Sequence, residues 1–234
     1  MRNIGPLRSA SVVSSGDPYF ANIVSLLHMD GTDASTTFSD AFRTWTAQGN
    51  AQIDTAQSKF GGASGLFDGT GDYINTAASA NFDFGSGDFT VQSWWRSAAT
   101  ISAGAYQFLL GAIGNASVYW GVRESTGYKL AINDTTGSLE ALTSAFTFAT
   151  DTWYHLESSR VGNNIYQFVD GVLLGTTDIT GLAYNFNSSG TTIAARTTGA
   201  NQTVNGWLDD FVVHKGVGLH TSGFTPRTTA WPDS

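Results

Sequence analysis

The chain has 234 residues, enough for one sizeable core, and only 13% of them are charged, about half the usual globular share. A formal net charge of −8 with three lysines argues against binding nucleic acid through its phosphates, which takes clustered Lys and Arg to displace counterions. The chain has no cysteine, which excludes disulfide staples and thiolate chemistry.

Residues 1–20, "MRNIGPLRSASVVSSGDPYF", are small and polar and are broken by Pro6 and Pro18. They read as an extended arm, expected to lie on a neighbouring subunit or partner, ahead of a single domain over 21–234. The arm has an early arginine but no apolar run long enough for a signal peptide. No stretch of the chain approaches the length of a membrane-spanning helix. The expectation is a protein that is neither exported by the standard route nor inserted in a membrane.

From Asn22 onward the hydrophobic pattern has a period of two. The segment "KFGGASGLFDGTGDYI" (Lys59 to Ile74) holds five glycines in sixteen residues and could be a phosphate cradle, a calcium loop or a corner. A cradle needs a helix after its glycines and a lysine behind them, and neither follows. An EF-hand loop needs a glutamate twelve along, which is missing although Asp68 and Asp72 are present. What is left is a corner: Gly61 and Gly62 turn the chain, Leu66 and Phe67 enter a sheet, and Asp68-Gly69-Thr70-Gly71 makes a hairpin-like turn with positive φ. In "DFTVQSWWR", Phe89, Val91, Ser93 and Trp95 face one way, and Thr90, Gln92, Trp94 and Arg96 the other. In "TWYHLESSR", Trp153, His155 and Glu157 alternate with Tyr154, Leu156 and Ser158. "NIYQFVDG" and "WLDDFVVHKG" continue the pattern, and turn signals such as "GSGD", "STG" and "VDG" separate the runs. No amphipathic helix of twelve or more residues is present. The pattern predicts an all-β, antiparallel two-sheet sandwich.

The stretches "KFGGASGLFDGTGDYI", "DFTVQSWWR", "DTWYHLESSRVGNNIYQFVDGVLLG" and "GWLDDFVVHKGVGLHTSGFTPRTTAWPD" come in an order and spacing that resembles the concanavalin A-like lectin/glucanase superfamily. Within it they resemble the laminin-G-like jelly-roll branch, over roughly residues 20–234. The opening "DPYFANIVSLLHMDGT" and the closing "FTPRTTAWPD" resemble the form of this domain found in bacteriophage virion proteins. The resemblance implies a jelly roll. It also implies a structural Ca²⁺ between the first and last strands, with Asp30 and Asp209 as candidate ligands. The alternative is that Asp30 caps a turn and Asp209 makes local backbone hydrogen bonds. By resemblance Trp94 and Trp153 match the strand tryptophans of the family and are expected in the core.

Glycoside hydrolysis requires two carboxylates a few ångströms apart, and retaining glucanase relatives place them as Glu-x-Asp-x-x-Glu. The three glutamates here, Glu124, Glu140 and Glu157, are each isolated from other acids in sequence. No Gly-x-Ser-x-Gly elbow occurs, and the four histidines have no zinc spacing. The chain is expected not to be an enzyme. Sugar binding would use aromatic faces, and Trp45, Trp120, Tyr106, Tyr119 and Tyr128 sit nearest predicted turns, where they would be freest to contact a ligand. Two functions remain. One is a non-enzymatic phage virion component (capsid decoration or tail-associated) assembled in the host cytoplasm, docking through its sandwich and arm onto other virion proteins and copies of itself. The other is a lectin-like adhesin for host surface polysaccharide.

Overall fold

The computed structural model describes residues 17–198 and 202–233; most of the 1–20 arm therefore lies outside the described residues. Seventeen strands follow in order: β1 (Ile23–Leu27), β2 (Thr46–Gln48), β3 (Gln52–Asp54), β4 (Ser64–Asp68), β5 (Tyr73–Ala77), β6 (Asp83–Gly85), β7 (Phe89–Ser97), β8 (Tyr106–Ala112), β9 (Tyr119–Glu124), β10 (Tyr128–Asn133), β11 (Glu140–Leu142), β12 (Trp153–Val161), β13 (Asn164–Val169), β14 (Val172–Asp178), β15 (Tyr184–Asn185), β16 (Gly190–Ile193) and β17 (Asn205–Lys215). All pairings are antiparallel. An eight-stranded sheet A has the order β14-β13-β12-β7-β17-β4-β3, with β1 also on β17; a seven-stranded sheet B has the order β11-β10-β9-β8-β16-β5-β2. Among the described residues, no helix is long and apolar enough to cross a membrane. The architecture is the expected jelly-roll sandwich.

The inner faces follow the alternation. Phe89, Val91 and Trp95 of β7, Leu156 of β12, and Leu208, Phe211 and Val213 of β17 join Leu110, Trp120, Leu130, Ile132 and Ile193 of sheet B in one core. Two indoles also bind across it: Trp95 donates to Gln107 Oε1 at 2.9 Å and Trp120 to Ser158 Oγ at 2.9 Å, so neither buried N–H is left unpaired.

The Asp68–Asp72 turn differs from its expected form. Gly69 and Gly71 have φ of +83° and +78°, but β4 belongs to sheet A and β5 to sheet B. It is an arch between the sheets rather than a hairpin. The buried Asp72 carboxylate fastens it, accepting from Asp68 N–H at 2.9 Å and Asn50 N–H at 2.5 Å.

After β17 the chain forms a strap without regular structure that runs out and back across the outer face of sheet A. Going out, Leu219 N–H donates to Thr90 Oγ1 at 2.9 Å, the His220 ring meets Glu157 at 2.9 Å, and Phe224 N–H donates to Gly171 O at 2.9 Å. A Cβ on Gly171, at φ +74°, would lie 2.0 Å from Phe224 O, so only glycine admits the strap there. Coming back, Trp231 N–H donates to Asp210 Oδ2 at 3.1 Å, and His28 bridges Asp210 at 2.8 Å and Asp233 at 3.1 Å. Phe20 and Trp231 pack on Ile23, Leu26 and Val212. The two ends of the domain are thus clasped together over β1.

The hydrogen bond from His28 to Asp210, with Asp233 beside it, raises the His28 pKa from 6.5 to about 9 against the opposing effect of burial. A raised pKa means that the clasp stabilises the fold fully below about pH 6.5 and loses that contribution as pH rises through about 9. With chelator present, the melting temperature of the wild type is expected to fall across this window, and that fall should be absent in His28→Gln.

Candidate functional site

A one-residue bulge in β17 organises the outer face. Asp209 lies opposite Trp94 and Val212 opposite Gln92, so three steps on β17 span two on β7; the extra residue, Asp210, has φ +48°. A bulge leaves its extra residue out of the ladder and re-aims side chains. Here both carboxylates find partners outside the core. Asp209 Oδ2 accepts from the Lys59 and Phe60 N–H groups at 2.6 and 3.1 Å, while Asp210 holds the returning strap.

Between the Lys59–Phe60 loop and the strap lies a groove of about 530 Å³ lined by Lys59, Phe60, Trp94, Trp153, Asp170, Pro226, Arg227 and Thr228. Trp94 stands on the outer face of β7, edge-on to Phe60 (5.9 Å) and His155 (5.3 Å). The Lys59 ammonium sits over its ring, 3.7 Å from the centroid, a contact worth about 0.5–2 kcal/mol. Asp170 occupies the β13–β14 turn and accepts from His155 N–H at 2.8 Å. The expectation that Trp94 and Trp153 belong to the core is corrected: neither is part of the inter-sheet core, and both line the groove. The alternation assigned Trp94 its face correctly but could not show that this face is also covered.

Beside the groove, sharing Arg227, is a smaller cavity of about 210 Å³ under the strap, bounded by Gln92, His155, His220, Phe224 and Trp231 among others. His155 Nε2 is 3.0 Å from Gln92 Oε1, and burial pushes its pKa down to about 3, so the imidazole is neutral. Gln92 Nε2, His155 Nδ1, Asp17 Oδ2 and both His214 nitrogens are buried without a hydrogen-bond partner, although His214 Nε2 and Asp17 Oδ2 lie 3.7 Å apart. Such a concentration of unpaired polar atoms beside a cavity is what ordered water serves.

The five aromatic residues singled out by sequence do not form one site. Trp120 is fully buried in the core. Trp45 is buried against Phe82, its indole donating to Asp40 at 2.9 Å. Tyr128 packs on Phe148 with centroids 4.4 Å apart. Trp120 and Trp45 are thereby buried, while Tyr128 is half-buried at the start of β10. Tyr106 and Tyr119 do come together, on the outer face of sheet B. Both hydroxyls donate to Glu140, at 2.9 and 2.6 Å, and Arg123 pairs with the same carboxylate. Phe108 stacks beneath Tyr106 at 4.7 Å. Within this cluster the Glu140 carboxylate takes both hydroxyls and the Arg123 guanidinium, leaving Arg123 Nε as the one buried polar atom unpaired.

The two carboxylates named for calcium flank one loop. Asp209 is buried, and Asp30 lies against Gly61, where a Cβ would come within 2.0 Å of its oxygens. Burial, with Asp210 and Asp30 nearby, pushes the Asp209 pKa up to about 7, and its Oδ1 is buried without a partner. A buried, unpaired carboxylate oxygen facing a second acid has the hard-oxygen chemistry that suits Ca²⁺. Among the described residues no three His, Cys, Asp or Glu side chains converge, so the remaining positions would fall to carbonyls and water.

A laminin-G model described as the concanavalin A-like lectin/glucanases superfamily matches residues 68–218. The chain belongs to this superfamily. No curated protein matches it by sequence. Among solved structures, it is similar to the binding domain of Paraclostridial Mosquitocidal Protein 1 (TM-score 0.66, 16% identity), covering 86% of this chain and 50% of that one. It is also similar to domain 4 of AbnA, an extracellular arabinanase from Geobacillus stearothermophilus solved with arabinotriose (TM-score 0.63, 12% identity), covering 85% of this chain and 94% of that one. The botulinum neurotoxin serotype D ligand-binding domain, solved with N-acetylneuraminic acid, aligns with TM-score 0.62 at 13% identity over 86% of this chain and 49% of that one. The chain spans about half the length of the toxin domains. At such identities the superfamily likeness is one of fold.

The Asp209 contacts make a direct prediction. In EDTA at pH 8, Asp209→Ala leaves two loop N–H groups unpaired and should cost about 1–3 kcal/mol in urea unfolding. Asp209→Asn keeps an acceptor and removes the buried charge, so it should be neutral or stabilising. Equal losses in both variants would show that the acceptor is not what matters.

Proposed function

We propose that the protein is a non-catalytic, lectin-like binding module that takes a glycan in the groove over Trp94. The observation that carries this reading is a pair of tryptophans, Trp94 and Trp153, lining an open groove beside Lys59, Asp170, Arg227 and Thr228. Aromatic faces stack on sugar C–H surfaces, and a few placed polar groups fix orientation. Asp170 is the one carboxylate among the groove's lining residues, whereas glycoside hydrolysis takes two flanking the bond. The sugar complexes of the arabinanase domain and the neurotoxin domain support the reading by analogy of fold.

The setting we propose is a bacteriophage virion, as a tail-associated or decoration component packed among other virion proteins and copies of itself. Its support is the resemblance of the opening and closing stretches to phage domains. These are the stretches that supply His28, Trp231 and Asp233 to the terminal clasp. We also propose that Asp209 and Asp30 hold a Ca²⁺ that stiffens the loop carrying Lys59 and Phe60.

A glycan array of the purified protein, run with Ca²⁺ and again with EDTA, tests the reading. Saturable binding to a defined polysaccharide is expected, weakened about tenfold or more in Trp153→Ala and Trp94→Ala and unchanged in Tyr106→Phe. Binding that survives both tryptophan changes would move the site elsewhere, and no binding to any glycan would end the lectin reading. A lower melting temperature in EDTA, restored by Ca²⁺ in the wild type but not in Asp209→Asn, is the expected signature of the metal.

A further inference from the structure

Most lysines and arginines among the described residues give their charge to a neighbour. Arg43 pairs with Asp40, Arg96 with Asp151 and Arg123 with Glu140; Arg160, Arg196 and Lys215 donate to backbone carbonyls. Lys59, Arg227 and Lys129 have neither kind of partner, and the first two line the same groove. Both rest on aromatic faces instead, Lys59 over Trp94 at 3.7 Å and Arg227 over Trp231 at 4.8 Å. Asp170, the groove's one carboxylate, accepts from the His155 N–H and keeps its charge, which acts on Lys59 without a direct ion pair. In a chain of net charge −8, two cations against one carboxylate along the groove are a local reversal of sign, and a concave wall concentrates its field.

Lys59 has a second role. It covers the ring face of Trp94 that a sugar would stack on, so stacking must move the ammonium aside. The side chain is half-buried on a loop whose backbone is fixed by Asp209, so it can swing without the loop moving. Once displaced it has lost its aromatic partner and needs a counter-charge close to the new occupant.

We propose that the groove takes an anionic glycan, its acidic group set between Lys59 and Arg227 while the ring stacks on Trp94. This rests on the glycan reading above and names the class of sugar. A neutral sugar would displace the Lys59 ammonium and offer it only hydroxyl acceptors, whereas an acidic sugar gives it a charge-assisted bond, about twice as strong.

The test compares matched probes by calorimetry: an oligogalacturonate against its methyl ester, and sialyllactose against lactose, each in 50 and in 500 mM NaCl. The expected result is that at least one acidic probe binds about tenfold more tightly than its neutral counterpart. Lys59→Gln and Arg227→Gln should each weaken that probe about fivefold, and high salt should erase most of the difference. Neutral probes bound as tightly as acidic ones, without salt dependence and without response to the two glutamine variants, would overturn this inference and leave the lectin reading standing. A panel in which no acidic probe binds, with only neutral polysaccharides bound on the array, would overturn this inference alone, whereas no binding to any glycan on the array would overturn both.

Discussion

The outer face of this sandwich depends on one extra residue in β17. Without the bulge, Asp209 and Asp210 would point to opposite sides, and one carboxylate would face the inter-sheet core. With it, both serve the same side. Asp209 fixes the Lys59–Phe60 loop on one side of Trp94, and Asp210 fixes Trp231 and His28 on the other. The two walls of the groove are therefore anchored to adjacent residues of a single strand. Their separation is set by the backbone rather than by flexible side chains, the kind of rigid support that precise binding sites need.

The same arrangement explains why sheet A carries so much buried polarity. Gln92, His155, Glu157 and His214 stand on a face that alternation marks as outward, yet all are buried. The strap covers this face and supplies some of its partners: His220 for Glu157, which also accepts from Ser159 on its own strand, and the Leu219 N–H for Thr90. Buried Glu157 would be costly alone, and a neighbouring imidazole with a hydroxyl donor offsets the loss of water. Sheet A is thus covered twice, by sheet B through apolar packing and by the strap through directional bonds.

Much of the fold was legible in the sequence because a period of two dictates which residues share a face. Phe89, Val91 and Trp95 against Gln92 and Trp94 came out as expected. The arch at Asp68–Asp72 was legible as glycines with positive φ, but not as a passage between sheets, since local chemistry does not say which strands pair. The site was less legible. Tyr119 and Trp120 are adjacent on β9 and must face opposite ways, but a six-residue strand with an aromatic at the start and a charge at the end of each face does not reveal which is the core. Trp94 and Trp153 are assigned to the core by resemblance to the family's strand tryptophans, and the second layer beside which both line the groove, with Trp94 itself still buried, depends on a strap over 100 residues away from Trp94. The adjacent acids of "LDDFVV" were visible; the bulge that turns them to one side was not.

The out-and-back course of the strap also affects how the molecule comes apart. Its hold on sheet A consists of single bonds at Thr90, Glu157, Gly171 and Asp210 and two aromatic anchors, Phe224 on Phe168 and Trp231 on Val212, whereas the strands beneath are held by continuous ladders and a dry core. Elements with few apolar contacts open at lower free energy than the body that carries them. The strap is thus a fuse in series with the groove: as conditions worsen it lifts first, removing one wall while the sandwich stays folded. Opening of the groove then precedes loss of the sandwich, and it reverses by redocking some eighteen residues (216–233) rather than by refolding a domain whose β1 and β17 must find each other from opposite ends of the chain.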